Sequence, residues 1–213
     1  MFTPPDRTAT MDDGLRPDFV AQRRNTRPRM DTPISEELLT TPVFGNNLKS
    51  DTFRGNLAED QTLLVLLRHF GCLFCREMVA DLRQVASKQA PGSSILFFYQ
   101  ATVVEGREFF AEHWPSAQAI ADGSLKFYRA FGIPKSSLGQ MIDPALWRQG
   151  MKSLSKGHLP GLPQGDVMQM PGLLLARRER IVWRHDFEHA GDHPKFGNMS
   201  LFGGPTEYVT LQQ

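Results

Sequence analysis

The sequence predicts an α/β domain: a mixed central sheet, mostly four- or five-stranded, with helices on both faces. Three observations carry that expectation. Continuous apolar runs at residues 63–67, 94–100 (SILFFYQ) and 173–176 read as strands buried on both sides. The first two flank a helical pattern, so they should lie parallel with a right-handed crossover between them. The third is followed by a charged turn at 177–180 and by Ile-Val-Trp-Arg-His at 181–185, which reads as its hairpin partner.

Each element has its own signal. Residues 1–33 are rich in Pro, Arg, Asp and Thr and lack apolar periodicity, so they read as a disordered or loosely attached arm. Ser35 is a fair N-cap for a short helix before Pro42, with Glu36 and Glu37 in its first turn. Residues 43–47 read as a strand end and turn. From Cys75 to Ala90, Cys75, Met78, Val79, Leu82, Val85 and Ala86 recur at steps of three and four, the stripe of an amphipathic helix. Arg76, Glu77, Arg83, Gln84 and Lys88 take the wet face, and Pro91-Gly92 stops the helix. A further helix spans 105–114, with Phe109, Phe110 and Trp114 as its apolar side and Pro115 at its end. Residues 119–121 form a short strand, and 125–131 a short helix closed by Gly132. Residues 133–168 read as an insertion lying over a sheet edge or the active-site mouth, with a helix at 144–154. The core domain is 34–196, and 197–213 form a tail.

Composition narrows the function. Hydrophobic residues make up 40% of the 213 and charged residues 22%, which supports a packed core. A net charge of +1 gives no long-range field for nucleic acid. The longest apolar run is too short for a bilayer, so no membrane association is expected. The first fourteen residues lack the apolar centre of a signal peptide. A cytoplasmic location follows as the expectation, and in that reducing compartment a close cysteine pair is catalytic or redox-sensing rather than structural.

The chain's 2 cysteines, Cys72 and Cys75, fall where a buried strand hands over to a helix. The first turn of a helix offers unpaired N–H groups and a positive dipole end, and both stabilise a thiolate. Arg68, His69 and Arg76 add nearby positive charge. Cys72 should therefore ionise below the ordinary thiol value and act as the attacking sulfur. Cys75, one turn deeper on the apolar stripe, should stay a thiol until it resolves a disulfide.

The stretch LLVLLRHFGCLFCREMVADL resembles the active-site segment of the peroxiredoxin-like branch of the alkyl hydroperoxide reductase/thiol-specific antioxidant (AhpC/TSA) group. That branch shows an Arg, a Phe-Gly-Cys and a second Cys followed by Arg, here Arg68, Phe70-Gly71-Cys72 and Cys75-Arg76. LKFYRAFGI at 125–133 and IVWRHDFEHAGDHP at 181–194 agree. The resemblance implies a thioredoxin-like fold and thiol redox chemistry with Cys72 as the reactive thiol. It also implies a cis-proline before the third buried strand, against the cysteines. Pro171 matches by position, and with Met170 it joins Arg68, His69 and Arg76 as a substrate-positioning candidate. Where typical peroxiredoxins hold a Thr three residues before the reactive Cys, this chain has His69, and no upstream Pro accompanies it.

The expected activity is reduction of a peroxide or a disulfide by the Cys72/Cys75 pair. The partners implied are that substrate and a thiol electron donor of thioredoxin or glutathione type, with a homodimer as an open arrangement. No cofactor and no metal are expected. The alternative is a metal-binding or redox-sensing module without turnover. His185, His189 and His193 recur every four residues among carboxylates, a spacing that would hold a metal on a helix. Ala190-Gly191-Asp192 reads as a turn that breaks it.

Overall fold

Side chains alternate across a strand, and here that alternation sorts the core into two layers on the faces of one sheet. The computed structural model describes residues 31–86, 92–136, 165–189, 192, 194 and 196. The chain runs β1 (Thr32–Pro33), α1 (Glu36–Leu39), β2 (Gly45–Asn46), a 3-10 turn (Arg54–Asn56), β3 (Gln61–Leu66), α2 (Leu73–Ala86), β4 (Ser93–Tyr99), α3 (Val103–His113), β5 (Gln118–Ala121), α4 (Lys126–Ala130), β6 (Gly172–Arg177) and β7 (Arg180–His185). The sheet order is β1-β7-β6-β3-β4-β5-β2. β3, β4 and β5 are parallel, and β6 runs antiparallel to β3. The sheet has seven strands where four or five were expected, because a two-residue strand pairs at each edge. Elements that short carry no periodicity to read.

Leu63, Val65, Phe97, Leu173 and Leu175 face α2 and α3, where they meet Met78, Val79, Leu82, Phe109 and Phe110. Leu64, Leu66, Phe98 and Leu174 face the other way, against Leu38 and Leu39 of α1, Phe53, and Phe127 and Tyr128 of α4. Helices therefore cover both faces. Two-sided burial explains why all six residues of β3 are buried.

Local signals account for the ends. Ser35 caps α1 by accepting from the Leu38 N–H. Thr102 and Glu105 form a capping box at the start of α3. The β6–β7 turn places Arg178 at φ 45 and Glu179 at φ 62, the left-handed pair that a tight two-residue hairpin demands. Two local expectations change. Glu77 is 5% exposed and not on a wet face, because the first turns of α2 are enclosed on several sides, with Phe74 buried as well. Thr32 and Pro33, read as the end of the arm, pair with Ile181 and Arg180 of β7. The 144–154 helix, most of the 133–168 insertion, residues 1–30 and the tail lie outside the described residues.

Asp122 follows β5 and holds α4 in place. Its carboxylate accepts from the backbone N–H groups of Lys126 and Phe127, both at 2.8 Å, and from the Ser124 hydroxyl at 3.1 Å. Asp122→Ala removes these acceptors, and in chemical denaturation a loss of about 1–2 kcal/mol is expected. Asp122→Asn, which keeps part of the acceptor set, should lose less.

Candidate functional site

Parallel strands present their carboxyl ends along one edge, and that edge carries the cysteines. The Leu67 N–H donates to Phe98 O at 2.9 Å, beyond which β3 leaves the sheet. Residues 68–71 turn, and the Cys72 N–H donates to His69 O at 3.0 Å. The Cys72 carbonyl then accepts from the Cys75 and Arg76 N–H groups at 3.1 and 3.2 Å, so Cys72 stands at the start of α2. Both cysteines are free thiols, 5% and 1% exposed respectively.

The sulfurs differ because their donors differ. The Cys75 thiol donates to Cys72, the backbone N–H groups of Cys75 and Phe74 add to it, and the Arg68 charge acts alongside. Against the cost of burial, these hold Cys72 below the ordinary thiol range. Burial first, and then the proximity of Cys72, pushes Cys75 well above that range. Cys75 Sγ also accepts the Arg68 N–H at 3.2 Å. The difference in ionisation between the two thiols thus comes from burial of Cys75 and from one thiol donating to the other.

The remaining candidates divide. Arg68 supports the thiolate and donates through Nη2 to Val167 O at 2.5 Å. His69 does not supply the expected positive charge. Burial, and then the neighbouring Arg68, lower its pKa to about 4, so the ring is neutral at pH 7. Arg76 donates through Nε to Phe70 O at 2.8 Å, bracing the turn. Met170 and Pro171 do lie beside the end of β3, since Gly172 pairs with Leu66. The expected cis bond before Pro171 is absent: no cis peptide occurs among the described residues. The trans form is the intrinsically favoured one. The Met170 N–H donates to Pro134 O at 3.1 Å, and Gln169 Nε2 donates to Met170 O at 3.3 Å. A hollow of about 30 Å³ lies between Met170, Pro171, Ile133, Pro134 and residues 184–187, with room for ordered water.

Gln100 and Tyr128 were not singled out from the sequence. Gln100 Nε2 donates to Arg68 O and, at 3.3 Å, to Asp166 O, while its Oε1 accepts from the Asp166 N–H at 2.8 Å. It ties residues 165–168 of the insertion to the cysteine turn. Its signal was an amide ending an otherwise apolar strand. The Tyr128 hydroxyl lies 2.5 Å from Leu67 O and 3.1 Å from Phe98 O, with no polar pattern in the sequence to mark it.

The histidine cluster takes a different form from a metal set. His185 Nε2 lies 2.7 Å from Asp192 O and 3.6 Å from its carboxylate. Among the described residues no three His, Cys, Asp or Glu side chains converge. His193 lies outside those residues.

A mixed sheet covered on both faces, with two thiols at the carboxyl edge of its central strand, defines a thioredoxin-like protein. Residues 80–189 match the AhpC/TSA antioxidant enzyme family, and the chain belongs to it. The matched stretch starts beyond both cysteines. Among curated relatives, prostamide/prostaglandin F synthase of Xenopus tropicalis is 24% identical over 160 residues, covering 73% of this chain and 80% of that protein. A cysteine-to-serine mutant of peroxiredoxin Q from Xanthomonas campestris superposes with a TM-score of 0.52 at 15% identity, over 77% of this chain and 92% of that one. A cysteine-to-serine mutant of PrxQ from Xylella fastidiosa gives 0.50 at 12%, over 75% and 86%. At such identities the structures speak for the fold.

Two outcomes follow for pH. Iodoacetamide should modify Cys72 with a midpoint below that of free cysteine, and Cys75→Ala should raise it by removing the principal donor. His69 binds fewer protons folded than unfolded, so it costs stability as pH falls from 6.5 toward 4. His69→Gln should flatten the stability profile in that window and leave the Cys72 midpoint nearly unmoved.

Proposed function

We propose that the protein is a dithiol oxidoreductase in which Cys72 attacks a disulfide or a peroxide and Cys75 completes the cycle. The observation that supports this most directly is the Cys75 thiol donating to a Cys72 sulfur held below the ordinary thiol range. Attack of the Cys72 thiolate on a disulfide forms a mixed disulfide and expels one thiolate. Cys75, deprotonated, then attacks Cys72 Sγ and expels the second, leaving a Cys72–Cys75 disulfide. Attack on a peroxide instead leaves an alcohol and a sulfenic acid at Cys72, which Cys75 condenses with, releasing water. A thiol reductant of thioredoxin or glutathione type returns the pair to the dithiol, consistent with work in a reducing cytoplasm.

Arg68 supports either route as a charge beside the thiolate. His69, where typical peroxiredoxins have Thr, favours the disulfide as the first substrate to assay. The relatives named as prostamide/prostaglandin F synthases make a prostaglandin-type lipid the second.

Cys72→Ser should abolish turnover of disulfide, peroxide and lipid substrates alike. Cys75→Ser should perform one attack and stop, accumulating a Cys72 adduct visible by intact mass. Undiminished turnover in Cys72→Ser would sink this reading.

A further inference from the structure

We propose that Tyr128 is a positioning residue for the step in which Cys75 attacks, acting through the peptide unit that joins Leu67 to Arg68. This rests on the dithiol reading above and adds a residue to it. One peptide group carries both contacts. Its oxygen, Leu67 O, accepts the Tyr128 hydroxyl at 2.5 Å, and its N–H, on Arg68, donates to Cys75 Sγ at 3.2 Å. Hydrogen bonds in series polarise one another, most strongly where water is excluded. A donor on the oxygen draws charge toward it and strengthens the N–H at the far end. That N–H faces the sulfur that must become a thiolate.

Location supports the assignment. Tyr128 is fully buried, in the core layer opposite the one that holds Cys75. Its hydroxyl reaches the sheet where β3 and β4 end, since Phe98 O is its other neighbour at 3.1 Å. A phenylalanine would fill the same apolar site, so packing alone does not account for the hydroxyl. The other groups that bear on Cys75 are Cys72 on its own helix, the Arg68 and His69 N–H groups at the turn, and the Arg68 side-chain charge through Cys72. Burial, then Cys75 and Asp122, raise the pKa of Tyr128 itself, so its hydroxyl keeps its proton and acts as a donor.

In the step concerned, Cys72 is already joined to a substrate thiol, R–S. Cys75 loses its proton to solvent, its sulfur forms a bond to Cys72 Sγ, and the Cys72–S–R bond breaks with its electron pair leaving as R–S⁻. The Arg68 N–H stabilises the Cys75 thiolate before attack, and Tyr128 sets how strongly it does so.

The test uses the full chain and an aromatic disulfide that releases a coloured thiolate, once when Cys72 attacks and once when Cys75 resolves. With Tyr128→Phe the second release should slow roughly three- to tenfold, the equivalent of one net hydrogen bond. Its pH profile should move to higher pH, while the first release changes by a smaller factor, because Cys72 feels Tyr128 only through the Cys75 thiol. Placing 3-fluorotyrosine at position 128, a stronger donor of similar volume, should move the second release the opposite way. Thermal unfolding establishes that each variant is folded. An unaltered second release in folded Tyr128→Phe, or no acceleration with the fluorinated residue, overturns the proposal. Failure of the dithiol reading would register separately, as turnover in Cys72→Ser.

Discussion

β3 is buried on both faces and flanked on both edges, so its backbone has no free choice until it leaves the sheet. It does so within a few residues, and the Arg68 N–H then finds a sulfur in place of a strand partner. The site depends on that handover. Carbonyls that would otherwise be orphaned at the strand end are taken by Gln100, which follows β4, and by Tyr128 of α4. The cysteine turn is thereby fastened from several directions before any substrate arrives.

The consequence for chemistry is that the environment distinguishes two like sulfurs. A helix dipole alone would act on whichever sulfur lay nearer its end. Here the dominant influence on Cys72 is its partner thiol, so the favourable ionised state belongs to the reduced pair as a unit. Arg68 is the cation that contributes. Neutral His69 leaves the site less positive than the run of basic residues around it suggests.

The central strands were legible because two-sided burial forces long apolar runs, and Leu63–Leu67 or Phe97–Phe98 admit few other readings. The cysteine pair was legible because sulfur at a strand-to-helix junction has few structural uses. Other features depend on contacts between distant segments. The neutrality of His69 follows from burial, the role of Gln100 from where residues 165–168 come to rest, and that of Tyr128 from a helix on the opposite face. The expected cis bond at Pro171 came from resemblance, and the structure has the intrinsically favoured trans form there. The family match runs from residue 80, inside α2, to residue 189, beyond β7, so β3 and the cysteine turn are read from their own geometry.

The two outermost strands are each only two residues long, and one of them contains Pro33, which has no N–H to offer. A neighbouring molecule seeking to extend the sheet would find few consecutive backbone groups at these rims to template on. Growth of a fibril through either of these two strands is therefore discouraged, even though the interior strands are as apolar as those of many aggregating peptides.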